Sequence, residues 1–277
     1  MVSDVRFSRM ASILLLLLLI VIAAGCAKQT CYIPYQAEPS PVPSARQERI
    51  RPGAPETVEK SLTFHGGPRT ITHEVGPMET VWRISRMYDV TPESIYAANG
   101  LRPGEELKIG RMLTIPNARM QRQIVNLYAN GQWKYIIVHH TATDTGNAKT
   151  INRSHGERGF WNGLGYHFLI DNGTMGKGDG QIEMSPRWIR QQNGAHCKAA
   201  GMNEKAIGVA LVGNFDVDTP TPNQMQALSF LLKTLSSYYH IQSGCIMGHG
   251  EVGGARTDCP GKRLPMNAIR QNARNFK

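Results

Sequence analysis

Cysteine is scarce in this chain. The 277 residues hold five, Cys26, Cys31, Cys197, Cys245 and Cys259, too few and too scattered for a dense disulfide framework. Long apolar runs are scarcer still. The extended one, Ala11 to Ala24, is short for a membrane-spanning helix. Blocks of like charge are also missing. The net charge of +10 is spread along the chain, which reads as a solvated basic surface, and no RNA- or DNA-binding signature accompanies it. Nucleic acid is therefore not an expected partner. What the chain has in quantity is glycine (28) and proline (16), a sign of linkers and loops. The length allows one large domain or two smaller ones with tails.

Residues 1–25 read as an export signal. Arg6 and Arg9 form a basic start, the apolar run follows, and Ala23-Ala24-Gly25 leads into Cys26. Small residues before a cysteine resemble a bacterial lipobox. That resemblance implies that Cys26 becomes the lipidated first residue and anchors the protein to a membrane surface. The residue after it is Ala27, and by the same analogy the absence of Asp there suits the outer membrane, facing the periplasm.

Residues 26–69 read as a lipidated, proline-rich linker, broken by Pro34, Pro39, Pro41, Pro43, Pro52, Pro55 and Pro68. Residues 70–117 form a small unit of strand, helix, helix and strand. Val81, Ile84 and Tyr88 share one helical face, with Trp82 and Met87 beside it. Thr91-Pro92 starts a second helix and Gly100 ends it. His73, Val75, Glu79 to Trp82, Ile84, Tyr88, Val90, Ile95, Asn99, Leu101 and Leu113 to Pro116 resemble the LysM domain. That implies binding to the N-acetylglucosamine-containing glycan of peptidoglycan or chitin, through loops near Gly76 to Thr80 and Asn99 to Gly104. Met78 departs from the family pattern, which usually has Gly in this first turn. Residues 118–132 read as a connector, partly helical from Arg119 to Tyr128.

Residues 133–277 alternate strands and helices. Tyr135 to Val138, Tyr166 to Ile170, Ile207 to Val212 and Cys245 to Gly248 read as strands, and Ile151 to Glu157 as a helix. The clearest helix starts at Thr221-Pro222 with Gln224 completing a capping box, and buries Met225, Leu228, Leu232, Leu235 and Tyr239. A short helix follows Pro265. The fold class is α/β, a mixed β-sheet flanked by helices, preceded by the small βααβ domain.

His249 and Cys259 lie on one Gly-rich loop, and His139 and His140 end an apolar strand. Histidine and cysteine thiolate are good zinc ligands, and three protein ligands leave a coordination position for water. Strand ends are where sites assemble in such sheets. Ile137 to Ala142, Gly165 to Ile170, Gly194 to His196, Ile207 to Phe215, Gly248-His249 and Thr257 to Gly261 then resemble zinc-dependent N-acetylmuramoyl-L-alanine amidases of the phage-lysozyme and peptidoglycan-recognition-protein family. The resemblance implies Zn2+ held by His139, His249 and Cys259, with Tyr166 and Thr257 as catalytic residues. It implies hydrolysis of the amide between N-acetylmuramic acid and L-alanine by a zinc-activated water. Peptidoglycan is the implied partner, glycan on the LysM unit and muropeptide in the amidase cleft. His196 and Asn214 are candidates for the substrate groove. Where some relatives place a Glu, this chain has Ala210, which puts it in the tyrosine-type branch. Two other readings compete: a module that recognises muropeptides without cutting them, and a tether between membrane and wall. Cys197 and Cys245 could pair in an oxidising compartment, leaving Cys31 over.

Overall fold

The computed structural model describes Cys31 and residues 54–63, 67–160 and 163–274. Cys26 and the export signal lie outside the described residues. All the elements below belong to the unit Ile33–Lys277. No helix among the described residues is long and apolar enough to cross a membrane.

The chain forms β1 (Glu56–Thr63), β2 (Arg69–Glu74), α1 (Val81–Tyr88), α2 (Pro92–Asn99), β3 (Met112–Ala118), β4 (Met120–Leu127), β5 (Tyr135–His140), α3 (Ala148–Glu157), β6 (Phe168–Asn172), β7 (Asp179–Met184), β8 (Ala206–Leu211), α4 (Pro222–Tyr239), β9 (Ile246–Gly248) and α5 (Met266–Ala273). Short helical turns occupy Pro186–Ile189 and Met202–Lys205. The large sheet has the order β7-β6-β8-β5-β9, with β7 antiparallel to β6 and the other neighbours parallel. All six residues of β8 are buried, as expected of a central strand covered on both faces. Helix α4 has the expected capping box between Thr221 and Gln224, and buries Leu228, Leu231, Leu232 and Leu235.

Strands β2 and β3 pair antiparallel, and with α1 and α2 they enclose Val75, Val81, Ile84, Ile95, Leu113 and Ile115. Thr80 caps α1 and Thr91 caps α2, each accepting a hydrogen bond from the backbone N–H three residues on. Trp82 is not part of this core. It is 63% exposed, with the Arg86 guanidinium 5.8 Å from the ring centroid. Met78 adopts φ 62°, the left-handed conformation that glycine takes freely. The turn is thus kept without the glycine.

Two expectations are corrected. The connector at 118–132 is not helical at Arg119 to Tyr128. It contains β4, which pairs along its whole length with β1, inside the stretch read as linker. Strand β4 also runs beside β7. Gln123 donates to the Gly180 carbonyl and accepts from the Ile182 N–H, and the Trp188 indole donates to the Asn126 carbonyl at 2.6 Å. Proline density argues against helix, but a strand edge needs only one residue in two to face inward.

A buried charged cluster joins the β2–α1 loop to β7. The Lys177 ammonium, 1% exposed, lies 3.0 Å from the Glu183 carboxylate and 3.6 Å from Glu79, and donates to the Glu74 carbonyl. Glu79 also accepts from the Gly76 N–H and contacts His73 at 2.7 Å. Glu183 accepts from the Ala148 N–H at the start of α3, where the helix dipole favours an anion. Asn147 caps that helix and donates to Glu74 and to the Met175 carbonyl. A Cβ on Gly76 would stand 2.6 Å from the Glu183 carboxylate. The first loop expected to bind glycan is therefore packed against the large sheet's edge strand.

Burial opposes ionisation of Glu79, but His73, Lys177 and the Gly76 N–H outweigh it and bring its pKa down from 4.5 to about 2. A carboxylate with a lowered folded pKa stabilises above its unfolded pKa, and that stability is lost as the pH falls through the folded value. We expect about 3 kcal/mol of stability to disappear between pH 4.5 and pH 2 on this account. Glu79→Gln should flatten urea-unfolding stability against pH in that window; an unchanged slope would count against the assignment. Lys177→Met strands buried carboxylates and should cost ~3–5 kcal/mol by the same measurement.

Candidate metal centre

Register brings the site together. Strand β5 pairs in parallel with β9, Ile136 opposite Ile246 and Val138 opposite Gly248. The residues that follow, His139 on β5 and His249 just after β9, therefore stand side by side, with ring centroids 4.7 Å apart. The loop after His249 returns through hydrogen bonds: the Gly250 N–H donates to the Cys259 carbonyl, and the Cys259 N–H to the Thr257 hydroxyl. Glu251 holds the turn, accepting from the Gly248 N–H and from Arg270. Glycine is needed at two points of this turn. A Cβ on Gly248 would meet Pro260 at 2.7 Å, and one on Gly250 would overlap the Thr257 carbonyl.

The ligand atoms of His139, His249 and Cys259 lie within 4.8 Å of one another. Cys259 Sγ is 3.6 Å from His139 Nδ1. Burial pulls the His139 pKa well below the ordinary range, and the neighbouring His196 and His249 lower it further. Burial also lowers that of His249. Both rings are thus neutral at neutral pH, with nitrogen lone pairs to offer. Burial pushes the Cys259 thiol up to about 12, against a backbone hydrogen bond from His140. A thiolate here needs a cation beside it. Two neutral imidazoles and one sulfur, gathered without a carboxylate, fit zinc with one position left over.

Tyr166 stands against this group, its ring 5.0 Å from that of His139. Burial, followed by the nearby Cys259, raises its phenol pKa, so the hydroxyl keeps its proton. Thr257 is exposed, and its hydroxyl accepts from the Cys259 N–H. Ala210 sits opposite His139 across β5 and β8, fully buried, so that neighbouring position carries no carboxylate. His140 faces away and accepts from the Phe215 N–H through Nδ1. His167 is fully buried, accepting from the Gly208 N–H and donating to the Gln192 carbonyl.

Of the two groove candidates, His196 departs from expectation. His196 is buried, at 8% exposure, with Nδ1 3.0 Å from His139 Nε2. It packs behind His139 rather than lining an open groove. The Asn214 side chain accepts from the Asp216 N–H within its own turn. His155 was not singled out by the sequence. It stacks on Phe160 and lies 5.2 Å from the Tyr166 ring, with Nδ1 accepting from the Gly165 N–H. Nothing in its helical setting marks that role. Cys197 is a free, buried thiol, whereas Cys31 and Cys245 are each disulfide-bonded, so the pairing of Cys197 with Cys245 is not made.

The fold and this donor set define an α/β protein with a candidate metal centre at the ends of two parallel strands. A family model described as N-acetylmuramoyl-L-alanine amidase matches residues 129–262, and a LysM domain model matches 73–116. Peptidoglycan-recognition protein SC2 of Drosophila simulans is 34% identical over 145 residues, 49% of this chain and 72% of the relative. The human N-acetylmuramoyl-L-alanine amidase is 28% identical over 147 residues, 47% of this chain and 23% of the relative. Among solved structures, the N-acetylmuramoyl-L-alanine amidase LysC from Clostridium intestinale URNW is 33% identical, with a TM-score of 0.44, covering 50% of this chain and 84% of that one. The chain belongs to the family of N-acetylmuramoyl-L-alanine amidases and peptidoglycan-recognition proteins, and carries a LysM domain.

Gly250→Ala should force the His249 turn away from the Cys259 loop. We expect a loss of ~1–3 kcal/mol in chemical denaturation, the usual cost of overpacking. Wild-type stability in this variant would contradict the close approach of the two loops.

Proposed function

We propose that the chain is a zinc-dependent amidase of the cell wall. It hydrolyses the amide between the lactyl group of N-acetylmuramic acid and L-alanine of the stem peptide. The observation that carries this reading is the convergence of His139, His249 and Cys259. These residues would hold the ion. Zinc in such a site lowers the pKa of a bound water to near 7 and polarises an acyl oxygen.

The chain's own groups supply the rest. Tyr166 keeps its proton beside the cluster, and its hydroxyl donates a hydrogen bond to the oxyanion that develops on the scissile carbonyl. The Thr257 hydroxyl uses a lone pair for the Cys259 N–H and retains a proton to donate to an acyl oxygen or a water. Ala210 offers no general base, which favours the branch that relies on tyrosine.

The LysM unit directs the enzyme to glycan, and the reading of Cys26 as a lipidated residue places it on the outer membrane, facing the periplasm. Recognition without cleavage is the competing reading, favoured by the names of several relatives. Cys259 argues against it, because a muropeptide can be bound by shape alone while a sulfur within 4.8 Å of two histidine nitrogens suits a metal.

Digestion of purified peptidoglycan with mass analysis of the products tests the proposal. We expect free stem peptides beginning at L-alanine, abolished by chelation and by Cys259→Ser. Tyr166→Phe should lower kcat by ~10²–10³-fold with little change in KM, as for loss of one oxyanion donor. Binding to peptidoglycan with no peptide released, zinc being supplied, would instead establish the recognition module.

A further inference from the structure

We propose that His196 is the positioning residue that sets which nitrogen of His139 faces the metal. The inference rests on the zinc reading above and concerns a ring outside the donor set. His196 Nε2 lies 3.3 Å from the Ala206 carbonyl, and His196 Nδ1 lies 3.0 Å from His139 Nε2. A carbonyl can only accept, so His196 carries its proton on Nε2 and presents a lone pair at Nδ1. His139 must then donate from Nε2. Its own lone pair is left on Nδ1, the atom 3.6 Å from Cys259 Sγ. One backbone carbonyl thus fixes the tautomer of a ligand two rings away. Metal-binding histidines usually take this support directly from a carboxylate, carbonyl or water. Here a second imidazole is interposed.

The surroundings are shaped for that ring. A Cβ on Gly208 would stand 2.5 Å from His196 Cδ2, and one on Gly194 would overlap the same ring. Gly208 lies inside β8, between Ile207 and Val209, and pairs with Ile137 of the strand that carries His139. Glycine weakens a strand interior relative to alanine and commonly marks a close approach. The close approach here is the His196 imidazole. Asn203 clamps the segment that delivers it, its side chain accepting from the N–H groups of both His196 and Cys197 at 2.8 Å.

Two substitutions separate this role from mere packing. In His196→Asn the side-chain oxygen can stand near the Nδ1 position and still accept from His139. His196→Leu fills the slot and accepts nothing. In the purified full chain, zinc affinity is read by competition with a chelator, and the His139 tautomer by ring 15N shifts in the metal-free protein. We expect His196→Leu to weaken zinc binding ~10–100-fold and to leave His139 as a mixture of tautomers. We expect His196→Asn to restore the Nε2-protonated form and most of the affinity. Wild-type affinity in the leucine variant overturns the inference. So does a metal-free wild type in which His139 carries its proton on Nδ1, a result that needs no variant to fold. A wild type that binds no zinc, with the tautomer as expected, overturns the zinc reading instead.

Discussion

The parallel pairing of β5 with β9 is the constraint on which the site depends. A register shift of one residue along either strand would turn one imidazole to the opposite face of the sheet. The pairing is short, so it is held from outside. Strand β8 flanks β5 on its other side through six paired positions, and the Cys259 loop is hydrogen-bonded to the turn beyond β9. Glu251 and Arg270 fix that turn to the C-terminal helix. The placement of the three donor residues is thus carried mainly by backbone ladders, which tolerate little drift, with the Glu251–Arg270 pair holding the turn.

Electrostatics supports the same arrangement by different means at two places. Around His139 the groups are neutral: burial disfavours charge on every imidazole, and the hydrogen bonds run from ring to ring and end on a carbonyl. Around Lys177 the groups are charged: the buried ammonium lies 3.0 Å from the Glu183 carboxylate and 3.6 Å from that of Glu79, and donates to the Glu74 carbonyl. Asp171 shows the limit of that compensation. Burial, and then the nearby Glu183, raises its pKa well above the ordinary carboxylate range.

Much of this was legible in the residues. Branched apolar runs give β5 and β8, capping residues give α4, and the His positions at strand ends, with Cys259 on the loop that follows His249, give the donor set. What escaped has a common cause: burial of polar groups. Strand β4 alternates strictly in burial, but two of its inward positions are Gln121 and Gln123, so a hydropathy pattern sees no strand. Strand β7 hides in the same way, with Gln181 and Glu183 buried among Ile182 and Met184. Strand β1 shares its stretch with prolines and closes only against β4. The role of His196 had a trace in Gly208, an odd residue within a branched run, but the partner that fills its space is distant in sequence.

The connector between the two modules is folded as β4, and that has a mechanical consequence. Only Arg119 separates β3 from β4, and the loop from Gly76 to Glu79 is tied to β7 by Lys177. A flexible tether would let a captured polymer sample many positions before the second site, with an effective concentration set by linker length. A hinge-free junction replaces that distribution with an offset. On the proposed function, a strand of polymer held by the LysM unit would arrive at the candidate metal centre in one heading, and the spacing between the two would be a property of the fold.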